Sequence, residues 1–231
     1  MDGAALVEEA KKFGLDLTRT QLEAFTLFEK KLYETNATTN LTAVKPDECW
    51  KRHFLDSLAV SPLIPKNTSV LDIGSGPGFP GACLAIARPD LTVTCLDSAT
   101  KMVAFMRSLF SPAGSLPVLY EIIQARAEEL AHTPAYREKF SFVTGRAVAP
   151  FEVQLEISAP FVAVGGLFVP MRTPVERDAI RGSEFQKLGL QLIDLKSARI
   201  APIGADRLFP VFSKVGRTPA DYPRKWNQIK G

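Results

Sequence analysis

Over positions 4–36 the apolar residues Leu6, Val7, Ala10 and Phe13, and then Leu22, Phe25, Phe28 and Leu32, return every three or four places. That period predicts two helices with one buried face each, and Thr18 stands where the second needs an N-cap. Lys45, Pro46 and Asp47 open a third helical segment, whose Trp50, Phe54, Leu55 and Leu58 share a stripe that closes before Pro62 and Pro65. At Ser69 the period changes: Val70, Leu71, Asp72 and Ile73 make a short, mostly apolar run of strand length, followed by a glycine-rich turn and a helix over 79–87. Further strands are predicted at 92–96, 118–123, 140–144, 166–169, 190–193 and 208–215, with a helix over 101–110 and helical segments between most of the others. Strands alternating with helices predict an α/β fold with a doubly wound, mainly parallel sheet. The expected organisation is an N-terminal helical cap over 1–65, a sheet-bearing domain over 66–215 and an aperiodic basic tail over 216–231.

Composition adds exclusions. A chain of 231 residues, 46% hydrophobic and 23% charged, buries a core without staples. Cys49, Cys83 and Cys95 are widely spaced and only His53 and His132 could join them, so neither a metal centre nor a disulfide framework is expected. Buried thiols of this kind belong in a reducing compartment, which predicts a cytoplasmic location. The acidic start of the chain does not fit an export signal, and no apolar run approaches the ~18 residues of a spanning helix, so no membrane partner is expected. The net charge of +3 is local: Arg217, Arg224, Lys225 and Lys230 stand against Asp221 in the tail.

The densest chemistry lies in Asp72-Ile73-Gly74-Ser75-Gly76-Pro77-Gly78-Phe79-Pro80-Gly81, directly after a strand and before a helix. Glycines there permit a tight turn and close approach of backbone to a nucleotide or nucleoside. Gly76, Gly78 and Gly81 also spell the dinucleotide spacing G-x-G-x-x-G, with Asp97 where a ribose-binding acid belongs, so an NAD(P)-binding oxidoreductase remains open at this point. Asp72, two residues before Gly74, favours a ligand carrying a cationic ammonium, such as S-adenosylmethionine, and would repel a pyrophosphate. Asp97 offers two oxygens to two ribose hydroxyls in either ligand. Capping of the turns by both acids is the plainer alternative.

Asn40-Leu41-Thr42-Ala43-Val44, Arg52-His53-Phe54-Leu55-Asp56-Ser57, the glycine turn, Leu96-Asp97-Ser98, Arg126-Ala127-Glu128-Glu129 and Arg146-Ala147-Val148-Ala149 occur in this order. With them the chain resembles the bacterial ribosomal RNA small-subunit methyltransferase G (GidB) family over about 36–224. The resemblance implies a Rossmann-like class I S-adenosylmethionine-dependent methyltransferase with a seven-stranded, mainly parallel sheet whose last strand is antiparallel. It implies methylation of N7 of one guanine in 16S ribosomal RNA; a class I methyltransferase for another RNA or a small molecule is the alternative. Cofactor contacts are implied at Gly74, Phe79, Ala127, Glu128 and Arg146, and the residue-level reading adds Asp72, Gly76 and Asp97. The chain departs from the family where Met171-Arg172-Thr173 replaces a common Leu-Lys-Gly, and the tail ends differently at Trp226.

Guanine N7 carries an in-plane lone pair at neutral pH and needs no general base, so no catalytic triad is required. Arg146 and Arg172 are the catalytic candidates, as orienting and charge-bearing groups. Arg52, Arg224 and Lys225 are the principal RNA-binding candidates, with Lys51, Arg207 and Arg217 as further basic positions, and Phe79 and Trp226 are candidates for stacking on a base. A bidentate arginine grip on O6 and N7 is excluded, because it would occupy the reacting atom. Asp56 and Ser57 are expected near the cofactor mouth. The target expected for so modest a charge is 16S RNA within the small ribosomal subunit, approached by a monomer, and loss of 216–231 is expected to weaken RNA-dependent turnover without changing cofactor affinity.

Overall fold

The computed structural model describes residues 1–110 and 120–229. Helix α1 (Gly3–Lys11) starts where the Asp2 carboxylate accepts the Ala5 N–H. Helix α2 (Arg19–Asn36) starts from a reciprocal box, the Thr18 hydroxyl accepting the Gln21 N–H and the Gln21 side chain accepting the Thr18 N–H. The Gln21 amide also donates to the carbonyls of Ile86 and Ala87 at 2.9 and 3.1 Å, tying this helix to the first helix of the sheet domain. The third predicted helical segment forms in pieces: a 3₁₀ turn at Pro46–Glu48, a π-helical turn at Trp50–Leu55 and a short α3 (Asp56–Leu58). Single π turns recur at functional positions, and this one carries Arg52 and His53.

The alternation then runs β1 (Ser69–Ile73), α4 (Gly81–Ala87), β2 (Thr92–Asp97), α5 (Thr100–Leu109), β3 (Tyr120–Gln124), α6 (Ala127–Leu130), β4 (Phe140–Thr144), α7 (Phe151–Ser158), β5 (Val162–Phe168), α8 (Arg177–Gly182), β6 (Leu190–Ile200), β7 (Ala205–Lys214) and α9 (Trp226–Ile229). The sheet order is β3-β2-β1-β4-β5-β7-β6. β3 to β5 are parallel neighbours, while β7 enters antiparallel between β5 and β6. This is the expected seven-stranded, mainly parallel sheet with its last strand reversed.

Four strands depart clearly from their predicted limits, among them β7, which begins three residues before the predicted 208. β5 begins four residues before the predicted 166, across Gly165 and Gly166, whose lack of a side chain hides strand pattern. β6 continues seven residues beyond 193 because it is an edge strand with alternating exposed polar positions, not the buried apolar run on which the prediction relied. β3 is described from Tyr120, and the first two residues of the predicted 118–123 lie outside the described residues, as do Lys230 and Gly231 of the tail.

Both sheet faces are buried. Val70, Val93 and Phe142 face α4, α5 and the N-terminal helices, where Phe25, Phe28 and Leu32 are fully enclosed. Leu71, Val143 and Phe168 point the opposite way, toward α7 and the segment around Ile180. Alternate residues of one strand thus serve two cores, which is why these strands are apolar throughout. Cys49, Cys83 and Cys95 are all buried and carry no disulfide. Among the described residues no group of three metal-ligating side chains converges, and no helix is long and apolar enough to cross a membrane.

Candidate functional site

The chain leaves β1 toward β2 on one side, while β4 pairs on the other, so a crevice opens beyond the carboxyl ends of β1 and β4. A cavity of about 270 Å³ lies there, walled by Gly74, Leu96, Asp97, Ser98, Ala125–Glu128, Ala147–Ala149, Ile157 and Trp226. Asp97 is partly open to it. Its Oδ2 accepts the Gly76 N–H and its Oδ1 the Ala99 N–H, both at 2.8 Å. Each carboxylate oxygen therefore keeps lone-pair capacity for a hydroxyl. Across the cavity Ala127 and Glu128 open α6, whose first N–H groups have no intrahelical partner, and the Glu128 carboxylate accepts from Arg126 Nε at 2.8 Å.

Asp72 does not reach this wall. It is fully buried, its Oδ2 accepts the Gly81 N–H at 2.7 Å, and its Oδ1 finds no hydrogen-bond partner among the described residues. Burial pushes its carboxyl up to about 7, against the pull of the Gly81 N–H, Ser75 and Arg146. The expected open ammonium site at Asp72 is thus, in this arrangement, an internal cap on α4. The Asp72 carboxylate thereby takes the N–H that opens α4, one of the groups a pyrophosphate at this helix start would need. Gly81 is required there, since a Cβ would stand 2.2 Å from Cys95 Sγ and 2.8 Å from Asp72 Oδ2. Gly76 lies behind the wall and acts through its N–H on Asp97.

Phe79 is likewise enclosed, 4% exposed, and both its faces are covered. His53 stacks on it at 4.2 Å and Phe28 at 5.3 Å, so it is not available to stack on a base. What it does is fix His53. The Arg146 guanidinium donates to His53 Nδ1 at 3.2 Å, which leaves the proton on Nε2 to reach Thr42 Oγ1 at 2.7 Å. Burial, aided by the Arg146 charge, holds the imidazole down at about 3, so His53 stays neutral and committed on both nitrogens.

Arg146, implied by the resemblance as a cofactor contact, donates to Asp56 Oδ2 at 2.8 Å and to the Arg52 carbonyl at 3.1 Å. Arg207 on β7 takes the other side of the same carboxylate, Nε to Oδ1 at 2.7 Å. Asp56, 3% exposed, is therefore shared by two guanidiniums from elements 90 and 151 residues away. These groups line a second cavity of about 550 Å³, with Arg52, Met171, Arg172, Thr173 and Glu176 on the remaining walls. Arg172 is 7% exposed and donates to Ala149 O, Gln154 Oε1 and Glu176 Oε1, a clamp joining the loops after β4 and β5. Ala147 and Ala149 belong to the walls of both cavities, and Ala147 has φ +54°, a left-handed conformation that costs a non-glycine residue about 1 kcal/mol.

The remaining sequence candidates scatter. Ser57 is fully buried. Arg224 is tied to Glu156, NH2 to Oε2 at 2.7 Å, and Lys225 is exposed beside it. Trp226, a departure in the tail, lies on the first cavity with the Arg126 guanidinium 4.5 Å from its ring centre. Asp56 was expected near the cofactor mouth but not as the common acceptor of two arginines, and Glu176 as the anchor of Arg172 was not identified by sequence reasoning.

Residues 21–200 match the family described as GidB, rRNA small subunit methyltransferase G. The chain is 36% identical over 223 residues to Ribosomal RNA small subunit methyltransferase G of Pelotomaculum thermopropionicum, covering 94% of this chain and 92% of that one. It is also 36% identical to the protein of that name from Caldanaerobacter subterraneus subsp. tengcongensis, over 97% of this chain and 95% of the relative. Among solved structures, M. jannaschii TYW2 in complex with AdoMet aligns at TM-score 0.50 and 18% identity, covering 64% of this chain and 70% of that one. A structure described as conversion of a disulfide bond into a thioacetal group during echinomycin biosynthesis aligns at TM-score 0.53 and 17% identity, covering 68% and 80%. At such identities these two structures speak for the fold alone.

Proposed function

The chain belongs to the ribosomal RNA small subunit methyltransferase G family, and from that premise we propose that its two adjoining cavities divide the work, the first holding S-adenosylmethionine and the second the target guanosine of 16S ribosomal RNA. It is an S-adenosylmethionine-dependent methyltransferase, and N7 of guanine is the acceptor consistent with its family. The observation that carries the division is the wall shared through Ala147 and Ala149 at the carboxyl edge of the sheet.

The residues suit the cofactor. Asp97 retains capacity for two ribose hydroxyls, Ala127 and Glu128 present an N–H and a carboxylate beside the space for a base, and Gly74 admits close backbone approach. Asp72 and Gly76 shape this site from behind, whereas Phe79 packs on His53 of the second cavity's wall. When bound, S-adenosylmethionine supplies an electrophilic methyl group. The chain's own task is orientation and charge balance.

The second cavity fits a phosphate-bearing partner, since Arg52, Arg146, Arg172 and Arg207 line it against Asp56 and Glu176 as the acids of its wall, Glu48 pairs with Arg52 from outside it, and His53 is neutral. No general base is needed for N7, and His53 is unsuited to be one. Arg146 and Arg172 spend most of their donors on protein acceptors, so they bear on the reaction by holding the cavity's shape and field while N7 stays unmasked. Arg52, Arg224 and Lys225 are assigned to the RNA backbone. The natural target under this reading is the small subunit in the cytoplasm, met by a single copy of the chain.

The test is transfer of labelled methyl from S-adenosylmethionine to undermodified small subunits, with naked 16S RNA in parallel, followed by borohydride and aniline cleavage. A single N7-methylguanine site is expected. Incorporation at another atom, or none with cofactor binding intact, would move the assignment to a different acceptor.

A further inference from the structure

We infer that the C-terminal segment is part of the cofactor site, with Trp226 as a base-contacting wall that sets affinity for the adenosyl group. This rests on the reading of the first cavity as the S-adenosylmethionine site. Trp226 borders that cavity on the side of Arg126, whose guanidinium lies 4.5 Å from the indole centre and whose Nε is held by Glu128. If Asp97 holds the ribose, the base extends toward Arg126–Glu128, and the indole stands at that end. An aromatic wall beside a purine gains stacking and excludes water from its edges.

The segment is anchored rather than draped. Arg224 meets the buried Glu156 carboxylate with both its backbone N–H, at 2.8 Å, and its guanidinium, at 2.7 Å. His132 Nε2 contacts the Pro223 carbonyl at 2.9 Å, and Arg137 donates to the carbonyls of Thr218, Pro219 and Tyr222. Beyond Trp226 the side chain of Ile229 is buried in the core that includes Ile157, itself on the cavity wall. Anchors on both sides of Trp226 fix its place, so little ordering cost opposes its contact with a ligand. The chain's only other tryptophan, Trp50, lies in the π turn and not on this cavity.

Two measurements test this. In a Trp50→Phe variant the emission of Trp226 should change on titration with S-adenosylhomocysteine, saturating at the Kd found by calorimetry. Trp226→Ala should raise the calorimetric Kd for both S-adenosylhomocysteine and adenosine about tenfold, with Trp226→Phe recovering most of the loss. Unchanged emission together with a wild-type Kd in Trp226→Ala overturns the role of the tail while leaving the cofactor site standing. Absence of any S-adenosylhomocysteine binding to the wild-type chain overturns both. The expectation that loss of 216–231 spares cofactor affinity is reversed on this inference.

Discussion

Asp97 and Asp72 are both strand-end carboxylates that accept backbone N–H groups of the same turn, yet their burial separates them. Asp97 faces the cavity and keeps lone pairs for a ligand, so Asp97→Ala should weaken S-adenosylhomocysteine binding by about 1–3 kcal/mol in a folded protein, measured by calorimetry. An unchanged Kd would reduce Asp97 to a staple between Gly76 and Ala99. Asp72 is sealed and raised to about 7 from 3.8. A carboxyl raised in the folded state stabilises fully below its unfolded value, and that contribution is lost as pH rises through the folded one. Stability should therefore decline from about pH 4 to 7 on account of Asp72, and Asp72→Asn should flatten that slope. His53, lowered to about 3, acts in the opposite sense between about 3 and 6.5, so the difference between wild type and Asp72→Asn in urea unfolding is the quantity to follow.

Three elements distant in sequence meet at Asp56: the helical segment through the π turn, the loop after β4 that carries Arg146, and β7 with Arg207. Removing the carboxylate leaves two guanidiniums facing each other with no shared acceptor. Asp56→Ala should cost on the order of 3 kcal/mol in urea unfolding and depress methyl transfer to RNA, with little change in S-adenosylhomocysteine affinity, because Asp56 lines the second cavity and not the first. Equal loss of both functions would contradict the division of the cavities. Such junctions mark where sequence reading stops. β1, β2 and β4 were legible because burial on both faces makes each an apolar run, and the glycine turn was legible because Gly81 admits nothing larger. The full length of β6 was not, since an edge strand exposes polar positions. Asp97 could be read from its place at a strand end, whereas Arg146 found its partner 90 residues earlier in the chain, a pairing no local spacing encodes.

At the scale of the molecule the charge is small and its placement is what matters. A net +3 gives little general attraction for polyanions, but four guanidiniums gather at the second cavity. Arg146 and Arg172 are largely spent on protein acceptors, while Arg52, 47% exposed, is free to meet solvent on one side of its pair with Glu48. With Arg52, Arg224 and Lys225 as the groups assigned to the RNA backbone, about three phosphates are neutralised, and the logarithm of kcat/KM for RNA against that of salt should slope at about −2. Arg52→Gln should shallow that slope by about 0.7 without altering S-adenosylhomocysteine binding, because Arg52 lines the second cavity and not the first. So weak a purchase on the RNA backbone leaves discrimination to the shape of the substrate, and assembled small subunits should outcompete naked 16S RNA increasingly as salt rises. A slope near −7, or a salt response identical for both substrates, would instead assign recognition to the basic surface at large.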